Sequence, residues 1–231
     1  MAERGERATL SYAGRTESPR AQPVPVRVGG FGGVDGLVDW IEREGVTHLV
    51  DATHPFAATM SGHAVAAAER TGIAHMRLTR PAWEPGEGDR WTRVADIAGA
   101  VAALGGPGAR VMLALGRMHV AAFAAQPQHH YLLRFVDAPD VAPPLPDHQL
   151  VVDRGPFTVE GDMALMRARR IDLVVAKNAG GSGARAKIDA ARMLGLPVIM
   201  IDRPALAEAP TVQGVAELIG WIDHDAAQRG V

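Results

Sequence analysis

Short apolar runs alternate with amphipathic helical patterns along the whole chain, and most runs end in a polar or glycine-rich turn. The runs read as strands over 8–12, 26–28, 47–51, 74–78, 110–115, 131–136, 150–153, 172–177 and 197–201. The intervening patterns read as helices over 34–44, 55–71, 96–104, 120–125, 159–169, 184–194 and 215–223. Strands separated by helices pair in parallel, with the helices covering the sheet faces. The expected fold class is therefore α/β, with two parallel-sheet domains. The turn Gly105-Gly106-Pro107-Gly108 is the strongest break. It divides the 231 residues into domains of 1–106 and 107–231. Residues 1–7 are polar where an α/β domain carries a buried strand. The first strand and helix of domain one are thus expected to be missing.

Composition removes several function classes. The formal charge of −2 leaves no electrostatic footprint for nucleic acid or an anionic membrane. The chain has no cysteine, which excludes disulfides, thiolate nucleophiles and iron–sulfur clusters. No apolar run approaches the ~20 residues that span a bilayer, and no signal peptide opens the chain. A cytoplasmic protein is the expectation. Of the 24 basic residues only Lys177 and Lys187 are lysine, and both fall in one short segment. A lysine kept in so arginine-rich a chain suggests a place for a compact, rotatable ammonium.

Ligands of parallel sheets bind beyond the carboxyl ends of the strands, so the residues there carry the candidate chemistry. After the first strand come Ser11, Gly14 and Arg15. An arginine there accommodates the 2′-phosphate of NADP, where an NAD enzyme carries an acid. Gly29 to Gly33 lead into a helix, and Gly30 and Gly32 let a backbone approach an anionic cofactor closely. The segment Val50-Asp51-Ala52-Thr53-His54-Pro55-Phe56 places three polar side chains at a strand end. Asp51, Thr53 and His54 are the catalytic candidates, with His54 as proton donor. The structural alternative has Thr53 or His54 capping the helix while Asp51 bonds loop amides. Arg117, Arg134 and Arg154 offer guanidinium groups at the ends of later strands, suited to carboxylates. Lys177, Asn178, Gly180 and Gly181 form a glycine loop with a lysine, an anion cradle. Trp83 and Trp91 could stack on a flat ligand or pin a loop. His119, His129 and His130 do not make a metal site, because neighbours on a strand face opposite ways.

The stretches SYAGRT, GGFGG, DATHPFA, RPAW, RGPF, KNAGG, AKIDAARMLGLPV and IDRP, in this order, resemble the precorrin-6A reductase family of cobalamin biosynthesis. The resemblance implies two Rossmann-like parallel-sheet domains with the active cleft between them, NADPH as cofactor, and reduction of the tetrapyrrole precorrin-6A to precorrin-6B. A related branch acts on the cobalt-containing analogue. It also implies other enzymes of the pathway as further partners. Three departures stand out. The family's opening strand with its Gly-Gly-Thr loop has no counterpart here. Ala179 stands where the family has serine, and Ala184 where a threonine is common. A non-catalytic tetrapyrrole- or nucleotide-binding module is the rival expectation.

Overall fold

A computed structural model describes residues 5–14 and 21–229. In chain order its elements are β1 (Leu10–Tyr12), β2 (Val26–Val28), α1 (Gly33–Glu44), β3 (His48–Asp51), α2 (Ala58–Thr71), β4 (Ala74–Leu78), β5 (Trp91–Val94), α3 (Ile97–Ala103), β6 (Arg110–Ala114), a 3-10 segment (Arg117–Ala125), β7 (His130–Phe135), β8 (His148–Val152), α4 (Val159–Ala168), β9 (Leu173–Lys177), α5 (Ala186–Met193), β10 (Val198–Ile201), β11 (Thr211–Val212) and α6 (Val215–Arg229). Every strand pairing is parallel. The α/β expectation of parallel sheets holds.

The chain forms two compact units. The first takes residues up to Thr53, then Ala57–Thr79, then those from Leu206 onward; the second takes His54–Phe56 and Arg80–Ala205. The first unit has two sheets, β1-β2 and β11-β4-β3. Helix α1 buries Leu37, Val38 and Ile41, one face at helical spacing, against Ala67 of α2. Gly45, left-handed at φ 61°, ends α1, with Val46 N–H bonding Ile41 O and Gly45 N–H bonding Glu42 O. That is the paired closure a glycine permits at a helix end.

The second unit is one six-stranded sheet in the order β5-β10-β9-β6-β7-β8. Its middle strands are apolar on both sides, as a sheet covered by helices on both faces requires. Side chains alternate between two cores. Val111, Leu113, Val175, Ile199 and Ile201 pack with Ala100 and Leu104 near α3 and with Phe123. Met112, Val174, Ala176, Val198 and Met200 pack with Met166 of α4, Ile188 of α5 and Trp83.

The division at 106/107 is not where the units part. The strand β5, which follows a Gly- and Pro-rich stretch and has no clear sequence pattern, joins the second sheet by pairing with β10. The strand β11, also without a clear sequence pattern, returns to the first sheet beside β4. Each half of the chain thus lends a strand to the other half's sheet. Apolar periodicity marks a strand but carries no information about which sheet it joins. The helix expected from 55 starts at Ala58, capped by Ala57 without a side-chain bond. Pro55 and Phe56 lie before it, and neither Thr53 nor His54 caps it.

Candidate functional site

In the first unit the ends of β1 and β2 lie side by side, with Gly29 N–H donating to Tyr12 O at 2.8 Å. Arg27 organises this end. Its guanidinium donates to Gly29 O and Gly30 O, both at 2.6 Å, and to Ser11 Oγ at 3.3 Å, and it lies 3.8 Å from the centre of the Phe31 ring. With their carbonyls held by Arg27, Gly29 and Gly30 fold the loop toward α1. Gly32 caps α1 in the left-handed region at φ 86°, without a side-chain bond to the helix amides. A Cβ at Gly29, Gly30, Gly32 or Gly33 would meet nothing within 4 Å, so the loop is open to an approaching group. A glycine loop over an uncapped helix N-terminus suits the pyrophosphate of a dinucleotide. The predicted Ser11, Gly14, Gly30 and Gly32 belong to this end; Arg15 lies outside the described residues. Sequence reading missed Arg27. Its signal was a lone charge inside the V-R-V strand just before the glycines.

Asp51, 4 % exposed, ends β3. Its Oδ1 accepts from Thr53 N–H at 3.1 Å and from Thr53 Oγ1 at 2.7 Å; its Oδ2 accepts from Arg77 Nε at 3.3 Å. Burial pushes its carboxyl up, but the bonds from Thr53, Ser61 and Arg77 outweigh that and hold it below 3.8. Arg77 also donates to Ala207 O at 2.9 Å, so the pair ties β3 and β4 to the segment before β11. Asp51 and Thr53 are thus spent on one another and on the frame.

His54 belongs with the second unit. Its Nδ1 accepts the Phe56 amide at 3.2 Å, which leaves Nε2 as the donor of a neutral ring. Lys177, the last residue of β9, places Nζ 4.8 Å from the centre of the Phe56 ring. Desolvation, then the charges of Arg80, Lys177, Arg203 and Lys187, hold His54 down to about 4. At neutral pH the ring is therefore an uncharged hydrogen-bond donor through Nε2. The fold favours the neutral imidazole, so its stabilising contribution is present above 6.5 and is lost as pH falls toward about 4. The ring remains solvent-accessible, so salt screens the neighbouring charges. Proton NMR should find His54 titrating near 4 in dilute buffer and moving upward with added salt; a midpoint of 6.5 at low salt would contradict the cationic setting.

Arg80 and Arg203 lie in the RPAW and IDRP stretches, where the sequence assigns neither arginine a role. They clasp the loop after β9. Arg80 Nε donates to Ala179 O at 2.7 Å; Arg203 Nε donates to Asn178 O at 3.0 Å and its Nη1 to Arg80 O at 2.9 Å. All these acceptors are uncharged carbonyls. No carboxylate pairs with Arg80 or Arg203 among the described residues. Asn178 exchanges two bonds with the Trp83 backbone, both at 2.8 Å, and Trp83 Nε1 donates to Gly181 O at 2.6 Å. The predicted Asn178, Gly180 and Gly181 therefore build the clasp, and Trp83, 3 % exposed, pins it.

The other predicted arginines do not gather there. Arg134 is buried in an ion pair with Asp162 and lies 3.9 Å from the centre of the Phe157 ring. Arg154 bonds Asp137 at 2.8 Å on the surface, and Arg117 is exposed at the start of the 3-10 segment. His129 is structural, taking Ala109 N–H at 3.0 Å on Nδ1 with Nε2 2.7 Å from Leu104 O.

Relatives give these two strand-end clusters a context. The family described as precorrin-6x reductase CbiJ/CobK matches residues 1–223. A precorrin-6A reductase of Rhodobacter capsulatus is 57 % identical, covering all of this chain and 92 % of its own length. One from Sinorhizobium sp is 50 % identical over 93 % of this chain and 82 % of its own. A cobalt-precorrin-6A reductase of Priestia megaterium is 32 % identical over 82 % and 77 %. A solved structure, CobK precorrin-6A reductase, superposes with a TM-score of 0.91 at 57 % identity, covering 94 % of this chain and 86 % of that one. A match of this length, carried by sequence and backbone alike, makes the chain an oxidoreductase of the precorrin-6x reductase CbiJ/CobK family.

Proposed function

We propose that the chain reduces precorrin-6A to precorrin-6B, with NADPH as the reductant, in the cytoplasm. When bound, the nicotinamide supplies the hydride. The chain's own residues bind and orient. Ser11, Gly14, Gly30, Gly32 and the Arg27-shaped loop would hold the dinucleotide, with Arg15 at the 2′-phosphate. Lys177, Arg80 and Arg203 would receive carboxylates of the macrocycle, and His54 Nε2–H would donate to a polar edge of it. The observation that carries this reading is the strand tip after β9. Three cations stand there beside an uncharged imidazole, and the two guanidiniums face only carbonyls. A polycarboxylate ring offers these two guanidiniums a charged partner in place of carbonyls.

Purified protein mixed anaerobically with precorrin-6A should consume NADPH mole for mole as precorrin-6B forms. Tight macrocycle binding with no NADPH oxidation would leave a binding module instead. Replacing Arg15 by Glu should weaken NADPH by roughly tenfold or more while sparing NADH, since one lost charge-assisted contact costs about 1.5–3 kcal/mol. Titration of both cofactors checks this, and equal losses would remove Arg15 from the 2′-phosphate.

A further inference from the structure

Lys187 sits in the first turn of α5 and is 9 % exposed. Its Nζ donates to Ala184 O at 2.6 Å and lies 5.4 Å from the centre of the Trp83 ring. This is a costly place for a charge. Burial strips most of its hydration, and the positive end of the helix dipole is close. Two charged groups face it from neighbouring elements: Arg134 of β7 and Asp162 of α4. Asp162 gives Oδ1 to Arg134, while its buried Oδ2 has no hydrogen-bond partner among the described residues. Elsewhere on α4, Glu160 and Arg167 are exposed; on α5 itself, Arg185 and Arg192 both bond Asp189. One carboxylate therefore stands against two buried cations. Desolvation and then Arg134 pull Lys187 from 10.5 down to about 8, against Asp162. The Trp83 ring beside this ammonium donates its Nε1–H to Gly181 O, so Lys187 packs against the loop that Arg80 and Arg203 clasp.

We infer that a polycarboxylate arriving at Lys177, Arg80 and Arg203 draws a proton from solvent onto Lys187, coupling ligand binding to proton uptake. The inference rests on the reading of the tip as a carboxylate receiver. An incoming negative charge favours the ammonium over the amine. Near pH 8, where Lys187 is about half protonated, binding completes the charge and takes up roughly half a proton per ligand. Below about pH 7 the lysine is already charged and uptake ceases. His54 responds to the same anion only in a lower window, above about 4. An arginine at 187 would stay charged throughout, which gives a reason for lysine in a chain so rich in arginine.

With two lysines in the chain, carbon-13-labelled lysine gives one set of side-chain signals for each. The Lys187→Arg variant assigns them. The probe is uroporphyrin, a flat porphyrin polycarboxylate. In the free protein the Lys187 signal should titrate near 8. With uroporphyrin bound, that midpoint should rise by about one pH unit or more, a tenfold gain in proton affinity, while the Lys177 signal shifts on binding. If the Lys177 signal shifts and the Lys187 midpoint stays put, the coupling is wrong and the carboxylate-receiving tip stands. If neither signal responds, the tip reading falls and the coupling with it. A free-protein midpoint near 10.5 also overturns the inference.

Discussion

Alanine at position 180 should open the clasp after β9, while alanine at position 183 should leave it closed. Gly180 sits at φ 70°, and a Cβ there would overlap the Arg203 guanidinium and the Pro81 carbonyl oxygen. Neither neighbour can yield cheaply. The carbonyl is backbone, and Arg203 is held by bonds to Asn178 O and Arg80 O. Left-handed strain of about 1–2 kcal/mol adds to overpacking of about 1–3 kcal/mol. For a chain of this size each kcal/mol lowers Tm by about 2–4 °C, so Gly180→Ala should melt about 4–20 °C lower. Because Arg203 must move, affinity for a porphyrin polycarboxylate should fall roughly tenfold or more, the equivalent of about 1.4 kcal/mol. A methyl group added at Gly183 would meet nothing within 4 Å, and the residue has no positive φ. Its alanine variant should stay within about 0.5 kcal/mol of the parent. Calorimetry and fluorescence titration of the two variants check this pair, and identical curves would remove the clasp from the account.

Replacing Asp51 by alanine should destabilise the first unit by about 3–5 kcal/mol, because it strands the Arg77 guanidinium in a buried site. Arg77 is 8 % exposed, and its remaining bond is to the Ala207 carbonyl. The double replacement Asp51→Ala with Arg77→Met removes both charges and should recover part of that loss. The sign of the pH effect is set by the lowered carboxyl. Its contribution is present above 3.8, the ordinary value, and is lost as pH falls through the lower folded-state value. The alanine variant should therefore lose less stability than the parent on acidification below pH 4. Denaturant titrations at several pH values measure this. A double variant no more stable than Asp51→Ala would mean that Asp51 acts through something other than Arg77.

The sequence showed the strands and helices well where apolar runs were long, as in β6, β9 and β10, since a fully covered strand leaves no other use for such a run. It showed short strands poorly. Thr211–Val212 is too brief for periodicity, and Trp91–Val94 follows a loop rich in Gly and Pro. The exchange of β5 and β11 between sheets was invisible for a deeper reason. Pairing partners far apart in the chain are set by packing, and no local pattern records them. Candidate residues divided the same way. Strand-end position drew attention to Asp51, His54 and Lys177, but residue type could not say what each would meet. Asp51 met Arg77 from β4, Arg134 met Asp162 from α4, and Asn178 met Trp83, all distant in sequence. Arg80 and Arg203 escaped notice because each looks like one of 22 ordinary arginines until the loop after β9 is closed around them.

Hydride delivery to a tetrapyrrole leaves an isotopic mark on the product. NADPH stereospecifically deuterated at C4, on each face in turn, is incubated anaerobically with the protein and precorrin-6A, and the product is weighed by mass spectrometry. A single deuterium should appear in precorrin-6B from one of the two labelled cofactors and none from the other. A product that carries no deuterium from either, or an unchanged macrocycle, would contradict it.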